Sequence, residues 1–481
     1  MSLSHALAFA TSGLTANARR AELISSNVAN AMTDGYGRRE LSVSAETIGN
    51  AGAGVRIDGV VRHADPQLSA ARRIAGSEAE YQATIQDAYS VIERSFGSTP
   101  DDPGLLQDFS RLMSAVIAAE SDPASIPTLD TLAHQLESLT GSLARSTEAM
   151  QAGRTDADRQ IDRLVTGLSA DLELVSTLNR SIQRAAFSGS ETSSLMDQRA
   201  QVLDRIATVV PFHFLPREDG QVAVMSLGGI MLVDGPAVSL EFEAASLITA
   251  EMDATNGVPS PLIVSGRPFD LDGVDSRLGG GSLAAAFAMR DRIFVEGQAR
   301  LDAFAADLLQ RLEDPALDPS VAAGAAGLLT DNGVPFDPAL QLGLAGRLEL
   351  HPAVRPDSGG ALWRLRDGLG AASEGPSSDG RLFTRLRSAL SLGITGGQAH
   401  PNTAFDGLSQ HAGRSASARL RVEDRQIAAS AHFATLREAE AAKGVDTDYE
   451  LQLLMQVEQA FAANAKVIEV ADTLMQQLLR I

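Results

Sequence analysis

The 481-residue chain contains no cysteine, which excludes disulfides, thiolate metal sites and cysteine nucleophiles. Lysine is almost missing as well, with Lys443 and Lys466 the only two. Aromatic residues make up 4% of the chain while Ala and Leu dominate, a mix that favours helical surfaces over aromatic-rich β cores. No stretch approaches the ~18 consecutive apolar residues of a membrane-spanning helix. Met1 to Ala18 has no basic residue before Arg19 and no continuous apolar run, so it does not read as a cleaved signal peptide. Proline is missing from both ends: the first is Pro66 and the last Pro401. Both ends are therefore free to be long helices. The charge is one-sided, −21 overall. Such a chain is repelled by phosphate backbones and anionic membrane surfaces, so neither nucleic acid nor membrane is expected as a partner.

What is present is a pattern at each end. Leu3, Leu7, Ala10, Leu14, Asn17, Ala21, Ile24 and Val28 recur in alternating steps of four and three, the a/d pattern of a heptad seam. Leu453, Val457, Ala460, Asn464, Val467, Ala471, Leu474, Leu478 and Ile481 repeat in the same way, with Leu454, Phe461, Ile468, Met475 and Leu479 as a second row beside them. The C-terminal helix thus has a face wide enough for more than one neighbour. Each seam has one amide, Asn17 and Asn464. If Val28 lies level with about Leu451 in an antiparallel pair, the two amides come within a turn of each other.

Between the ends the texture varies. Asp34-Gly35 reads as a stop and turn. Tyr36 to Glu46 and Gly54 to Arg62 read as paired extended segments around Gly49 and Gly52. Helices are expected over about 66–120, broken at Pro100 and Pro103, and from Thr128 to Val209 with a break at Ser188-Gly189-Ser190. Leu132 to Leu143 marks one apolar face of that long stretch and Ile161 to Ile182 another. After Pro211 come short β-like runs, Gln221 to Met225 and Ile230 to Val233, then a helix from Ser282 to Leu312. A Gly- and Pro-rich region to Pro401 holds a short strand at Gly346 to Leu350, and a helix from Ser415 to Lys443 closes at Gly444. The expected fold is mixed, mainly α with inserted β domains, elongated and multidomain, with the two terminal helices paired as an antiparallel coiled coil. The expected division is 1–35 with 445–481 as a terminal domain, 36–210 with 282–312 and 405–444 as a helical core, 211–281 as a β-rich segment and 313–404 as an inserted outer domain.

No catalytic constellation stands out. HExxH, GxSxG and Walker-type motifs are all absent from the sequence. Gly279-Gly280-Gly281-Ser282 lacks nucleotide-loop spacing and reads as an interdomain turn. Asp270 to Asp275 lacks the ligand spacing of a calcium loop and reads as a solvated turn. The eight histidines include no i, i+4 helical pair. Asn27, Asn30 and Asp34, clustered where the first helix ends, read as capping and turn residues. No cofactor, metal or catalytic residue is expected.

Three segments carry a resemblance. Ser12-Gly13-Leu14 through Ser26-Asn27-Val28-Ala29-Asn30 to Thr33-Asp34-Gly35-Tyr36 resembles the N-terminal signature of flagellar rod, hook and hook-associated proteins. Gly444-Val445-Asp446 through Glu458-Gln459-Ala460-Phe461-Ala462-Ala463-Asn464 to Asp472-Thr473-Leu474 is similar to the C-terminal signature of the same group. Leu195-Met196-Asp197-Gln198-Arg199, then Asp219-Gly220, Arg277 to Gly280 and Arg290-Asp291 resemble the hook-associated protein 1 family in particular. Phe461 and Gly37 depart from that pattern, where Tyr and Thr or Ser are common, and 315–401 matches weakly.

The resemblance implies a structural protein without enzymatic activity, exported by the flagellar type III route without a cleaved signal and held soluble by a cytosolic chaperone. It implies an extracellular place at the hook–filament junction, as a ring of copies between the hook protein and hook-associated protein 3. The implied assembly interface is Leu3, Leu7, Leu14, Asn17, Ile24, Val28, Leu453, Val457, Phe461, Asn464, Val467, Ile468, Leu474 and Leu478. The alternatives are a hook or rod protein, disfavoured by the missing Phe-Lys after Gly35, and, in a different class, a cytosolic enzyme with helical ends.

Overall fold

The computed structural model describes residues 3–33, 35–48, 51–97, 104–252, 259–269, 280–391, 394–395, 398–399 and 403–479. Asp34, Gly49, Pro100, Pro103, Asp270 to Asp275, Arg277 to Gly279 and Pro401 lie outside these residues, as do the side chains of Leu3 and Leu478. Helix dominates. The strands form small sheets of two or three strands each, so the β content expected as inserted domains is present only as small sheets.

Helix α1 spans Leu3–Ala29 and leads into a hairpin of β1 (Arg38–Ile48) and β2 (Ala51–His63). The hairpin bulges between Ser42 and Val43 and between Glu46 and Thr47. Leu41, Val55 and Val60 cover Ala16 and Leu23 of α1. The hairpin therefore lies on the first helix and outside the long-helix core, where the sequence reading puts everything from residue 36. Its alternating apolar positions need an apolar partner on one face only, and α1 supplies it. Gly54, at φ +114°, permits the approach: a Cβ there would stand 2.3 Å from Ser12 Oγ.

Helix α2 (Pro66–Phe96) starts with Asp65 as its N-cap, accepting from the Gln67 and Leu68 amides, and with proline in its first turn. Helices α3 (Gly104–Ser121), α4 (Ile126–Phe187) and α5 (Ser193–Val209) follow. At 62 residues, α4 is about 93 Å long. The two apolar faces of its sequence serve two cores. Leu129 to Met150 pack with the C-terminal half of α2, with α3 and with α7 (Phe294–Leu312). In that core Phe109 meets Phe304 edge-on at 6.1 Å. Leu350, Phe383 of α8 (Arg381–Ser391) and Leu408 bring residues 329–390 and the start of α9 (Ala404–Ala442) into the same core. A capping box between Thr403 and Asp406 starts α9, some ten residues ahead of the expected Ser415. Ile161 to Leu178 pack instead with α5, with the sheet of β3 (Phe212–Pro216), β4 (Val222–Ser226) and β5 (Met231–Val233), and with α6 (Gly281–Ala288), all eight residues of which are buried.

Between the cores α4 carries polar residues instead of apolar ones. Arg154 donates to the carbonyls of Arg290, Thr249 and Met252. Asp158 accepts from the Ala245 amide at 2.6 Å and from Arg290 Nη1 at 2.6 Å. Arg290 sits in a π-helical turn, Met289–Ile293, which interrupts the helix that the sequence predicts as continuous from 282 to 312. The Asp158 and Arg290 side chains are both fully buried. Arg290 also forks onto Asp291, at 2.8 and 2.9 Å, so its guanidinium keeps one carboxylate if Asp158 is lost, while the Ala245 amide loses its acceptor. We expect Asp158→Ala to cost about 1–3 kcal/mol in guanidinium unfolding, from the stranded Ala245 amide and the lost contact to Arg290, and Arg290→Met to cost more, because it leaves both Asp158 and Asp291 without their cation.

Candidate functional site

Helix α10 (Thr447–Leu479) returns to lie against α1. Two contacts set direction and register. A Cβ on Gly13 would stand 2.8 Å from Asn464 Nδ2, and Asn27 Nδ2 donates to Glu450 Oε2 at 3.2 Å. Fourteen residues forward on α1 match fourteen residues back on α10, so the helices are antiparallel. Asn464 thus meets Gly13 and not Asn17, which lies one turn further along α1. The sequence estimate, Val28 level with about Leu451, is off by about two residues, because Asn27 and Glu450 anchor the pair at its base.

Among the sequence-predicted residues, Ile24 and Val457 are buried, while Leu7, Leu14, Asn17, Val28, Leu453, Asn464 and Ile468 are half-buried. Phe461, Val467 and Leu474 are 45%, 45% and 44% exposed. On α10 the inward row is Glu450, Val457, Asn464 and Ala471, one heptad apart. The outward side carries further apolar groups, with Met455 56% and Val470 49% exposed. The structure thus brings one row of the α10 pattern against α1 and leaves the other to solvent.

The base of the pair is a polar joint that the sequence reading does not anticipate. Asn27 is fully buried. Its Nδ2 donates to Arg39 O at 2.9 Å and to Glu450, and its Oδ1 accepts from the Arg39 amide at 3.0 Å and from the Tyr36 hydroxyl at 2.9 Å. All four hydrogen-bonding positions of the amide are used. Glu450, also fully buried, accepts from Arg38 Nε at 2.6 Å, and the Arg38 guanidinium lies over the Tyr449 ring. One layer further in, Asp197 of α5 accepts from Gly37 N at 3.0 Å, Arg39 Nη2 at 2.6 Å and Arg62 Nε at 2.7 Å. Arg62 Nη2 donates to Gly35 O at 3.0 Å, and Arg19 reaches Glu191 at 2.8 Å. Gly37 is sterically required here: a Cβ would stand 2.6 Å from Arg62 Nε.

A second ionic group ties the neighbouring long helices. Arg72 and Arg73 of α2 both reach Asp204 of α5, at 2.7 and 2.6 Å, and Arg72 also pairs with Glu440 of α9. Lys443 donates to Asp65 at 2.7 Å and holds that carboxyl below its usual range. The two passages between the terminal helices and the core, β2 to α2 and α9 to α10, are thereby clasped side by side.

Asn30, by contrast, does what its sequence position suggests and bonds back to Ser26 O at 2.9 Å. The signal for the joint was present in the heptads. Glu450 continues the row Val457, Asn464, Ala471 backwards by seven, and Asn27 shares the face of Leu23 and Ile24. Neither a metal-binding cluster nor a helix long and apolar enough to cross a membrane is found among the described residues.

Comparison with known proteins agrees on one group. The model of the flagellar hook-associated protein FlgK helical domain matches residues 89–314. Residues 440–481 match that of the flagellar basal body rod FlgEFG protein C-terminal region, and residues 7–36 that of the flagella basal body rod protein. The flagellar hook-associated protein 1 of Bacillus subtilis (strain 168) is 21% identical over 489 residues, covering 94% of this chain and 93% of its own. The chain is similar to the flagellar hook-associated protein 1 family through its helical core and over most of its length. The family consists of structural flagellar proteins and not of enzymes. The structure of the flagellar hook junction protein FlgK from Burkholderia pseudomallei is also similar, at 17% identity and a TM-score of 0.44, over 56% of this chain and 47% of that one. The family model that picks this member covers the helical core, and the two terminal models fall on α1 and α10.

The joint makes two expectations. Asn27→Ala strands the Arg39 amide and one Glu450 oxygen, each at about 1–3 kcal/mol if it stays buried, and leaves the Tyr36 hydroxyl only its longer contact with Ser26 Oγ at 3.3 Å. Hydrogen exchange should therefore speed up along α10 while α4 amides keep their protection. Oxidation should link Gly13→Cys/Asn464→Cys readily, since the side chains there are within disulfide reach, and should link Asn17→Cys/Asn464→Cys far less. The opposite order would refute the register.

Proposed function

We propose that this protein is a structural subunit of the hook–filament junction, assembling with copies of itself through α1 and α10. The observation that carries the reading is the split face of α10. One row is seated on α1, and Met455, Phe461, Val467, Val470 and Leu474 stay between 44% and 56% exposed in the single chain. An apolar face of that extent on a long helix is what a neighbouring helix would cover. In an assembled tube the α1–α10 pair works as a coiled coil whose outer rows are buried by other copies. The site residues named from the sequence whose side chains are described, from Leu7 to Leu474, divide between the inner seam and that outer surface. Hook protein lies on one side of the ring and hook-associated protein 3 on the other. The chain reaches this extracellular place through the flagellar type III channel, with a cytosolic chaperone covering the exposed face beforehand.

The terminal unit in this reading is α1, the hairpin and α10, hinged on the polar joint. Residues 36–210, 282–312 and 405–444 otherwise form the helical core, with 211–281 and 313–404 attached to it.

The test is Val470→Asp/Leu474→Asp. Burying two unpaired carboxylates costs several kcal/mol, while both positions lie outside the two helical cores. Thermal unfolding of the purified chain should be unchanged, motility should be lost, and the protein should accumulate in the culture supernatant. Motility that survives both changes would show that this face is not an assembly surface.

A further inference from the structure

Two histidines in the core around Phe96 and Leu350 stand where the neutral ring fits and the charged ring does not. His351 follows the short strand Leu348–Leu350 and caps the turn Pro352–Val354. Its Nδ1 accepts the Ala353 amide at 3.1 Å, and its own amide donates to Leu328 O at 3.0 Å. A ring nitrogen that accepts a hydrogen bond carries no proton, whereas a charged imidazole carries one on each nitrogen. Protonation therefore removes the cap, between two residues, Leu350 and Val354, that are buried in this core. Burial first, and Arg364 second, hold this imidazole below its usual range. Glu137 of α4, near the same turn, is taken by Arg355 at 3.3 Å.

His411 lies near the start of α9, with its ring stacked on Phe96 at 6.2 Å and with Leu408 and Ala412, both buried, beside it on the helix. Its Nδ1 is buried and bonds to no group among the described residues. A second ring proton would sit at that unpartnered position, desolvated. Burial holds this imidazole below its usual range, helped by Arg414 of α9 and Arg300 of α7. Asp307 of α7 acts the other way but is already paired with Arg311 at 2.8 Å.

We propose that this core is an acid-sensitive latch: protonation of His351 and His411 frees residues 348–354 and the start of α9, while the other core, Ile161 to Leu178 with its partners, stays closed. His213, next to that other core, is exposed, so charging it buries nothing. A histidine whose folded pKa lies below its unfolded value of about 6.5 adds stability above that pH and loses it as the pH falls below. Other groups of the latched core have the opposite sign. His134, exposed on α4, is raised by its bond to Asp130 O, and burial raises Asp302 and Glu313 of α7. All three gain stability as the pH falls, so the loss is assigned to the two lowered histidines.

The test is hydrogen exchange on the full chain at about pH 7.5 and about pH 5.5, on either side of the ordinary histidine range, with intrinsic rates divided out. His351→Asn keeps a capping acceptor, His411→Phe keeps a ring on Phe96, and neither new side chain titrates in this interval. On acidification, wild-type amides over 348–354 and 404–415 should lose up to about tenfold more protection for each histidine than those of His351→Asn/His411→Phe. Amides over 161–178 should keep theirs in both proteins. Near pH 7.5 the variant and the wild type should be alike.

An acid response of the same size in the double variant overturns the proposal, and so does an equal loss of protection over 161–178 in the wild type. If the double variant does not fold, the wild-type chain decides through an NMR titration of its imidazole protons. His351 and His411 should both titrate below about 6.5, and either ring titrating at or above that value overturns the latch.

Discussion

A buried amide holds the two ends of this chain together. Asn27 and Glu450 are 423 residues apart in sequence, both fully buried, and each would be costly without the other. Their contact sets the register of α1 on α10. Through Arg38, Arg39 and Tyr36 it fixes the start of the hairpin, and through Asp197 it places that whole unit on α5. A lone buried amide of this kind specifies one arrangement among the several that a plain apolar seam would allow, because any slip by one residue leaves donors and acceptors unpaired.

Much of this could be read from the residues. The terminal helices, the hairpin, the break after Phe187 and the two faces of α4 follow from periodicity and from the placement of Pro and Gly, which act locally. The family was legible for the same reason, since its signatures sit on those helices. The joint was not legible. Arg38, Arg39, Arg62, Asp197 and Glu450 come from four elements and mean nothing until the fold brings them together, and Asn27 looks like an ordinary helix-end residue. Gly37 is instructive. In the sequence it is a departure from the family pattern; in the structure Arg62 occupies the space where a Cβ would go.

The middle of the chain shows the opposite case. Small sheets such as β3–β5 depend on α4 and α6 for their burial rather than on their own pattern, so the texture after Pro211 suggested more β architecture than the described residues show. The π turn at Met289–Ile293 likewise has no periodic signature. It aims Arg290 at Asp158, and that requirement comes from α4, more than a hundred residues away.

Helices α2, α4 and α9 share a common course. Each has one end at the joint, at Pro66, Phe187 and Ala442, and the other in the core around Phe96, Leu129 and Leu408. Of the three, α2 and α9 lie against each other along much of their length, so bending either one means shearing its packing against the other. The clasp of Asp65 and Lys443 therefore sits where a load on the terminal helices would pass into this pair and along it toward the far core.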